Sequence, residues 1–224
     1  MISKTTKKSS SRPANQTASP RWTAVFALLS VALLNFALPG ALSIGPNWLL
    51  SLVVGILTIP TIFSHRMGKH DWNQWLGYAI GVVETLALVG SVALLVAGLP
   101  SGKEKAPELL RAGAMLWLSN ILIFALWYWR FDAGGPHLRD VSVGHRKGDF
   151  LFPQMALNPG DANYDANWSP QFVDYLFLAF NSSTALSPTD TAVLSRGGKI
   201  LMMTQSLIAL TVLAILVSRA VNVL

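Results

Sequence analysis

Residues 75–99 read WLGYAIGVVETLALVGSVALLVAGL. These 25 residues carry one charge, Glu84. As an α-helix they would be about 37 Å long, enough to cross a hydrocarbon core of about 30 Å. A tryptophan stands at the start, as an interface anchor would. The stretch predicts a transmembrane helix.

Five further apolar segments flank it. Trp22–Leu38 and Trp48–Phe63 precede it; Leu109–Trp129, Phe172–Leu186 and Ile200–Leu224 follow. Of the 17 Lys and Arg and 11 Asp and Glu, only Glu84, Arg111, Asp174 and Arg219 fall inside these runs. The chain is 52% hydrophobic and 12% charged, with mean hydropathy +0.45. A soluble domain is about 25% charged. The expected class is therefore an all-α polytopic transmembrane bundle of about six helical segments. The fifth has only 15 residues, so it is expected to be a short span or a re-entrant helix.

Residues 1–21 are polar and carry Lys4, Lys7, Lys8, Arg12 and Arg21. They predict a disordered basic tail on the cytoplasmic side. A signal-peptide reading is less suitable, because the run after it is long and no small-residue cleavage site follows. Residues 22–224 form one transmembrane domain. Three N-terminal spans occupy 22–108. An outer helix, a long loop over 130–169, a short helix and a last helix occupy 109–224.

If all six segments cross and the N-terminus is cytoplasmic, 12 Lys and Arg lie inside and five outside. The positive-inside rule supports that orientation and a multi-pass cell-membrane location. The net charge of +6 is explained by these flanking loops, so no nucleic-acid partner is expected. The lipid bilayer is the expected partner.

Enzymatic motifs are missing. There is no Ser-His-Asp signature, G-x-S-x-G, Walker motif or G-x-G-x-x-G, and Gly197-Gly198-Lys199 lacks the rest of a P-loop. His65 and His70 with Asp71, or His137 and His145 with Asp140, lack ligand spacing on one helix. With no cysteine, thiolate metal sites are excluded. No enzyme, cofactor or metal is expected.

Two polar features stand out. Glu84 lies nine residues inside its span, where a charge costs about 3 kcal/mol. It must face the bundle, protonated or paired with Asn35 or Asn120, either as interhelical glue or on an ion pathway. Ser187-Pro188-Thr189-Asp190 matches a capping box with Pro at the first helical position. Alternatively Thr184, Ser187, Thr189 and Asp190 present oxygens at a constriction. Ser169-Pro170 is a second capping pair, which would start the fifth helix with Asp174 near its positive dipole end. Thr204, Gln205 and Ser206 form a polar belt, either helix–helix glue or pore lining. Arg219 is placed to snorkel to the interface.

From Trp168 onward, the order is a short aromatic helix, a Ser/Thr-rich turn ending in Asp190, and a long apolar helix. This resembles the pore module of potassium-type channels, with Leu116–Asp132 as outer helix. Leu186, Ser187, Pro188 and Thr189 stand where that family has V-G-Y-G. The chain also resembles a family of uncharacterised bacterial integral membrane proteins through Trp117, Gly134-Gly135-Pro136, Asp149-Phe150-Leu151-Phe152-Pro153, Asp174-Tyr175 and Ser187–Asp190. The second resemblance implies no activity. The first implies a homo-oligomer, a tetramer if channel-like, and an inorganic cation as partner. Both filter glycines are replaced, which removes the backbone freedom a carbonyl-lined filter uses. The expected function is a channel-like ion-conducting protein without a standard potassium filter. The alternatives are a secondary transporter using Glu84 and a non-conducting accessory membrane protein.

Overall fold

The structure is a computed structural model that describes residues 22–66, 70–99, 106–141, 148–166, 168–184 and 190–221. Among these residues the chain is all-α apart from one two-residue strand pair. The helices are α1 (Trp22–Phe36), α2 (Asn47–Arg66), α3 (His70–Gly98), α4 (Ala106–Phe131), the short α5 (Pro136–Val141), α6 (Phe172–Thr184) and α7 (Arg196–Val221). Strand β1 (Phe150–Leu151) pairs antiparallel with β2 (Ala192–Val193), Phe150 opposite Val193.

Three helical stretches are long and apolar enough to cross a membrane: Trp72–Gly98, Pro107–Gly134 and Arg196–Arg219. The apolar parts of α1 and α2, Trp22–Phe36 and Asn47–Thr61, are shorter. Helix α2 runs through Pro60.

Helix α4 is the centre of the molecule. It packs against α1, α3, α6 and α7, while α2 packs on α1 and α3. Its second half is buried almost all round, including Ile121, Ile123, Phe124, Leu126, Tyr128 and Trp129. A helix surrounded by other helices needs no polar face.

The contacts fix which helix ends lie together. The lower end of the bundle carries the C-terminus of α4. There the Arg130 carbonyl accepts from Gln74 Nε2 (2.9 Å), near the start of α3, and Thr61 of α2 accepts from Asn73 Nδ2 (2.7 Å). At the upper end, Arg219 Nη2 of α7 donates to the Leu99 carbonyl after α3 (2.9 Å). So α3 and α7 are parallel, and α4 runs against both.

Helix α6 also starts at the lower end. The Phe172 ring lies 6.1 Å from that of Trp129, two residues before the end of α4. Eleven residues on, the Ser183 carbonyl accepts from Trp117 Nε1 (3.4 Å), near the middle of α4. The chain is then back at the lower end by β2, where Leu194 N–H donates to the Asp149 carbonyl (2.8 Å). The Phe131 ring packs over Gly197 at the start of α7. Helix α6 therefore enters the bundle and the chain returns to the end from which it came. A path with six crossings would start α7 at the upper end and return its C-terminus to the lower one; here the order is reversed.

Two expected helix starts move for the same local reason. Helix α6 begins at Phe172, not at Ser169-Pro170: Gln171 N–H donates to Asp174 Oδ2 (2.7 Å), so Asp174 closes the first turn. Helix α7 begins at Arg196, where Ser195 Oγ accepts from Gly198 N–H (2.9 Å), an N-cap bond. Asp190 lies in a bend before β2 and is not in the first turn of a helix. Pairing of Ala192-Val193 with Phe150-Leu151 holds this stretch extended. The Ser187-Pro188-Thr189 part of the expected capping box lies outside the described residues.

Candidate functional site

Glu84 sits halfway along α3 and is 1% exposed. Neither carboxylate oxygen has a hydrogen-bond partner. It lines a cavity enclosed by α1, α2, α3 and α4, together with Asn35, Ser91 and Ser119 and a wall of Leu38, Leu50, Leu88 and Leu116. The cavity volume is about 10 Å³. Asn35 Oδ1 is likewise buried without a partner. Of the two asparagines expected near Glu84, Asn35 shares its cavity and Asn120 does not.

Local packing places Glu84 there. The Trp127 indole covers Gly81, with ring atoms 2.9 Å from where a Cβ would stand, and donates to Thr85 Oγ1 (2.9 Å). The close approach needs glycine at 81. It sets α3 against α4 with residue 84 facing inward. Arg130 packs over Gly77, about 10 Å down the axis from Glu84. It donates to the Asn73 carbonyl (3.4 Å).

Asn120 belongs to a second polar group, where α4, α6 and α7 meet. Gln205 is fully buried. Its Nε2 donates to the Ala179 carbonyl (2.7 Å) and to Ser183 Oγ (2.8 Å). Tyr128 Oη donates to Gln205 Oε1. Asn120 Nδ2 donates to the Gln205 carbonyl (3.2 Å) and to Ser183 Oγ (3.4 Å). Ser206 Oγ donates to the Ser182 carbonyl (3.4 Å). Gln205 and Ser206 thus hold the tip of α6 inside the bundle. This is the helix–helix use of the polar belt.

A third group anchors the long loop, and sequence reasoning missed it. Asp132 is 0% exposed, just beyond α4. Its Oδ1 accepts from Asp149 N–H (2.6 Å) and Phe150 N–H (3.3 Å), and its Oδ2 from Tyr175 Oη (2.6 Å). The Arg139 guanidinium donates to the Asp132 and Trp129 carbonyls (2.6 and 2.8 Å) and lies over the Tyr175 ring. The chain reverses after Asp132 through Ala133, Gly134 and Gly135, all with positive φ. An Asp followed two residues later by Gly-Gly was the available signal for a turn built on that carboxylate. Phe150 and Phe152 are buried against Tyr128 and Tyr175, so this part of the long loop packs back onto the helices.

The proposed constriction residues are only partly described. Thr184, at the tip of α6, is exposed, and its hydroxyl donates to the Phe180 carbonyl (2.9 Å). Asp190 is exposed at the return. Ser187 and Thr189 lie outside the described residues. Asp174 is half-buried at the start of α6 and is used by the helix cap. No cluster of three or more His, Asp or Glu placed to hold a metal occurs among the described residues. Comparison with protein families, with curated proteins and with solved structures gives no match.

Proposed function

We propose that this chain is a multi-pass membrane protein that conducts small cations through a module built from α4, α6 and the start of α7. The observation that carries the reading is the re-entrant path of α6. A short helix that enters a bundle and stops part-way presents its tip at membrane depth. Irregular backbone at that depth is tolerated only when buried in protein or facing water. The outer helix, short helix and inner helix are in the order that the pore resemblance implies.

Five helices cross in this reading: α1, α2, α3, α4 and α7. The stretches that adjoin the lower helix ends in sequence, residues 1–21, 66–69, 130–147 and 196–199, contain 13 of the 17 Lys and Arg. The positive-inside rule makes that end cytoplasmic. The N-terminus is then cytoplasmic, the last residues of α7 face the other side, and α6 enters from the cytoplasm. That direction is opposite to the one in potassium-type channels.

In this reading the path forms between chains. Helix α7 leaves an outward stripe with Thr204, Thr211 and Ser218 spaced seven residues apart, beside Ile200 and Leu207. In a homo-oligomer this stripe is the surface available to line a shared path. Thr184 and Asp190 lie outward and are available to the same path.

Flux through proteoliposomes tests the proposal. With potassium on one side and sodium on the other, the account expects a cation current with little discrimination between the two. Strong potassium selectivity needs stacked carbonyl rings, and Ser187-Pro188-Thr189 replaces them. Asp190→Asn should weaken the preference for cations over chloride. A strongly potassium-selective current would contradict the account. No current from folded protein would leave transport driven by Glu84, which its isolation inside the bundle favours as the second reading.

A further inference from the structure

The cavity around Glu84 is separate from the α4–α6–α7 module and is not used by conduction there. Three buried oxygens line it with no partner: both carboxylate oxygens of Glu84, and Asn35 Oδ1. The hydroxyl-bearing Ser91 and Ser119 complete its polar wall. An unsatisfied buried acceptor costs about 1–3 kcal/mol, and more when charged. Here several acceptors converge on a space where they can share one electropositive occupant.

We propose that this cavity binds a single dehydrated monovalent cation of sodium size, in exchange for a proton on Glu84. Each property of the site narrows the occupant. The donors are all oxygen, which suits hard cations and not soft transition metals. There is one carboxylate, so a monovalent ion leaves the site neutral, while a divalent ion would leave a net charge inside the bilayer. The room of about 10 Å³ is at the lower edge of the roughly 10–15 Å³ that one water requires. A hydrated ion or an organic cation does not fit, and potassium, being larger than sodium, fits less well.

Backbone placement favours a cation as well. Helix α1 stops at Phe36, one residue past Asn35. Its C-terminal end, with the negative pole of the helix dipole, therefore lies beside the cavity. Helix ends that stop inside a membrane protein are used in this way for sodium and proton sites. No other titratable group lines the cavity from α1, α2 or α4. The charged group that α4 packs on this face of α3 is Arg130, over Gly77 and about 10 Å down the axis, and its positive charge works against a cation.

The exchange balances simply. The carboxyl O–H bond breaks, the proton leaves to water, and the cation takes its place on the carboxylate. Two measurements on the full-length protein in detergent test this. The first is the melting temperature in sodium, lithium, potassium or choline chloride at constant ionic strength. Sodium should raise it saturably and potassium should not. Where the proton competes, the apparent sodium affinity should fall about tenfold per pH unit of acidification. Asn35→Leu should weaken sodium binding tenfold or more, Glu84→Gln should abolish the sodium effect, and Glu108→Gln, an exposed carboxylate at the start of α4, should leave it unchanged. The second measurement needs no variant: adding sodium chloride to unbuffered wild-type protein should release one proton per chain. An equal response to potassium, a sodium effect that survives Glu84→Gln, or no proton release on sodium binding would overturn the proposal. A melt that depends on pH but not on sodium would also overturn it, by assigning the cavity to the proton alone. None of these outcomes bears on conduction through the α6 module.

Discussion

Asp132 shows how one carboxylate can organise a loop. Its two oxygens accept from two backbone N–H groups and one phenol, all from segments distant in sequence. Replacing it with alanine leaves three buried donors without an acceptor. Tyr175→Phe removes only one charge-assisted bond and should cost about 1.5–3 kcal/mol. Asp132→Ala should cost more, and both should show as a lower melting temperature in detergent. If Asp132→Ala melted like wild type, the carboxylate would not be the anchor described. By contrast, Glu84→Gln removes no hydrogen bond within the protein. Its effect on stability in sodium-free buffer should be small beside that of Asp132→Ala, although both carboxylates are fully buried.

At the scale of elements, the interest lies in how α6 is held. Helix α6 has 13 residues, below the roughly 17–25 of a usual span, as are the 15 of α1; what sets α6 apart is that its tip is held inside the bundle by Gln205 and Asn120. Gln205→Leu should destabilise the protein by roughly 1–3 kcal/mol, since interhelical hydrogen bonds within membranes contribute about 0.6–2 kcal/mol each. It should do so without changing which side of the membrane α6 enters from. At the start of α7, Ser195→Ala should cost about 0.5–2 kcal/mol through the lost cap, with faster hydrogen exchange confined to the first turn. Uniform exchange changes along α7 would contradict a local role. Most element boundaries were legible in the sequence because apolar runs end where charges and turn residues begin. The two helix starts were not. Ser169-Pro170 and Ser187–Asp190 both have capping chemistry, but the helices begin further on, where Asp174 closes the first turn of α6 and Ser195 caps α7. Pairing with Phe150-Leu151 keeps residues 192–193 extended, and a pairing so distant in sequence leaves no local signal. Glu84 was legible as a buried carboxylate because nothing else in residues 75–99 is charged. That Asn35 and not Asn120 shares its cavity follows from the packing order of α1, α3 and α4, which an apolar pattern does not encode. Asp132 was missed because it reads as the first residue of a polar loop.

The whole molecule turns on one topological fact: the chain enters with α6 and leaves by the same end. The proposed five crossings rest on it, and the proposed cytoplasmic entry rests on it together with the Lys and Arg count. Because the chain has no cysteine, single-cysteine variants report sidedness directly. The decisive measurement is labelling of Asp161→Cys in the long loop, Lys199→Cys at the start of α7 and Glu108→Cys at the start of α4. An impermeant maleimide is added to intact cells and, separately, to inside-out vesicles. The account predicts that Asp161→Cys and Lys199→Cys react only in the inside-out vesicles, and that Glu108→Cys reacts only in intact cells. If Lys199→Cys were labelled in intact cells while Asp161→Cys was protected, α6 would cross the membrane and the re-entrant module would be wrong.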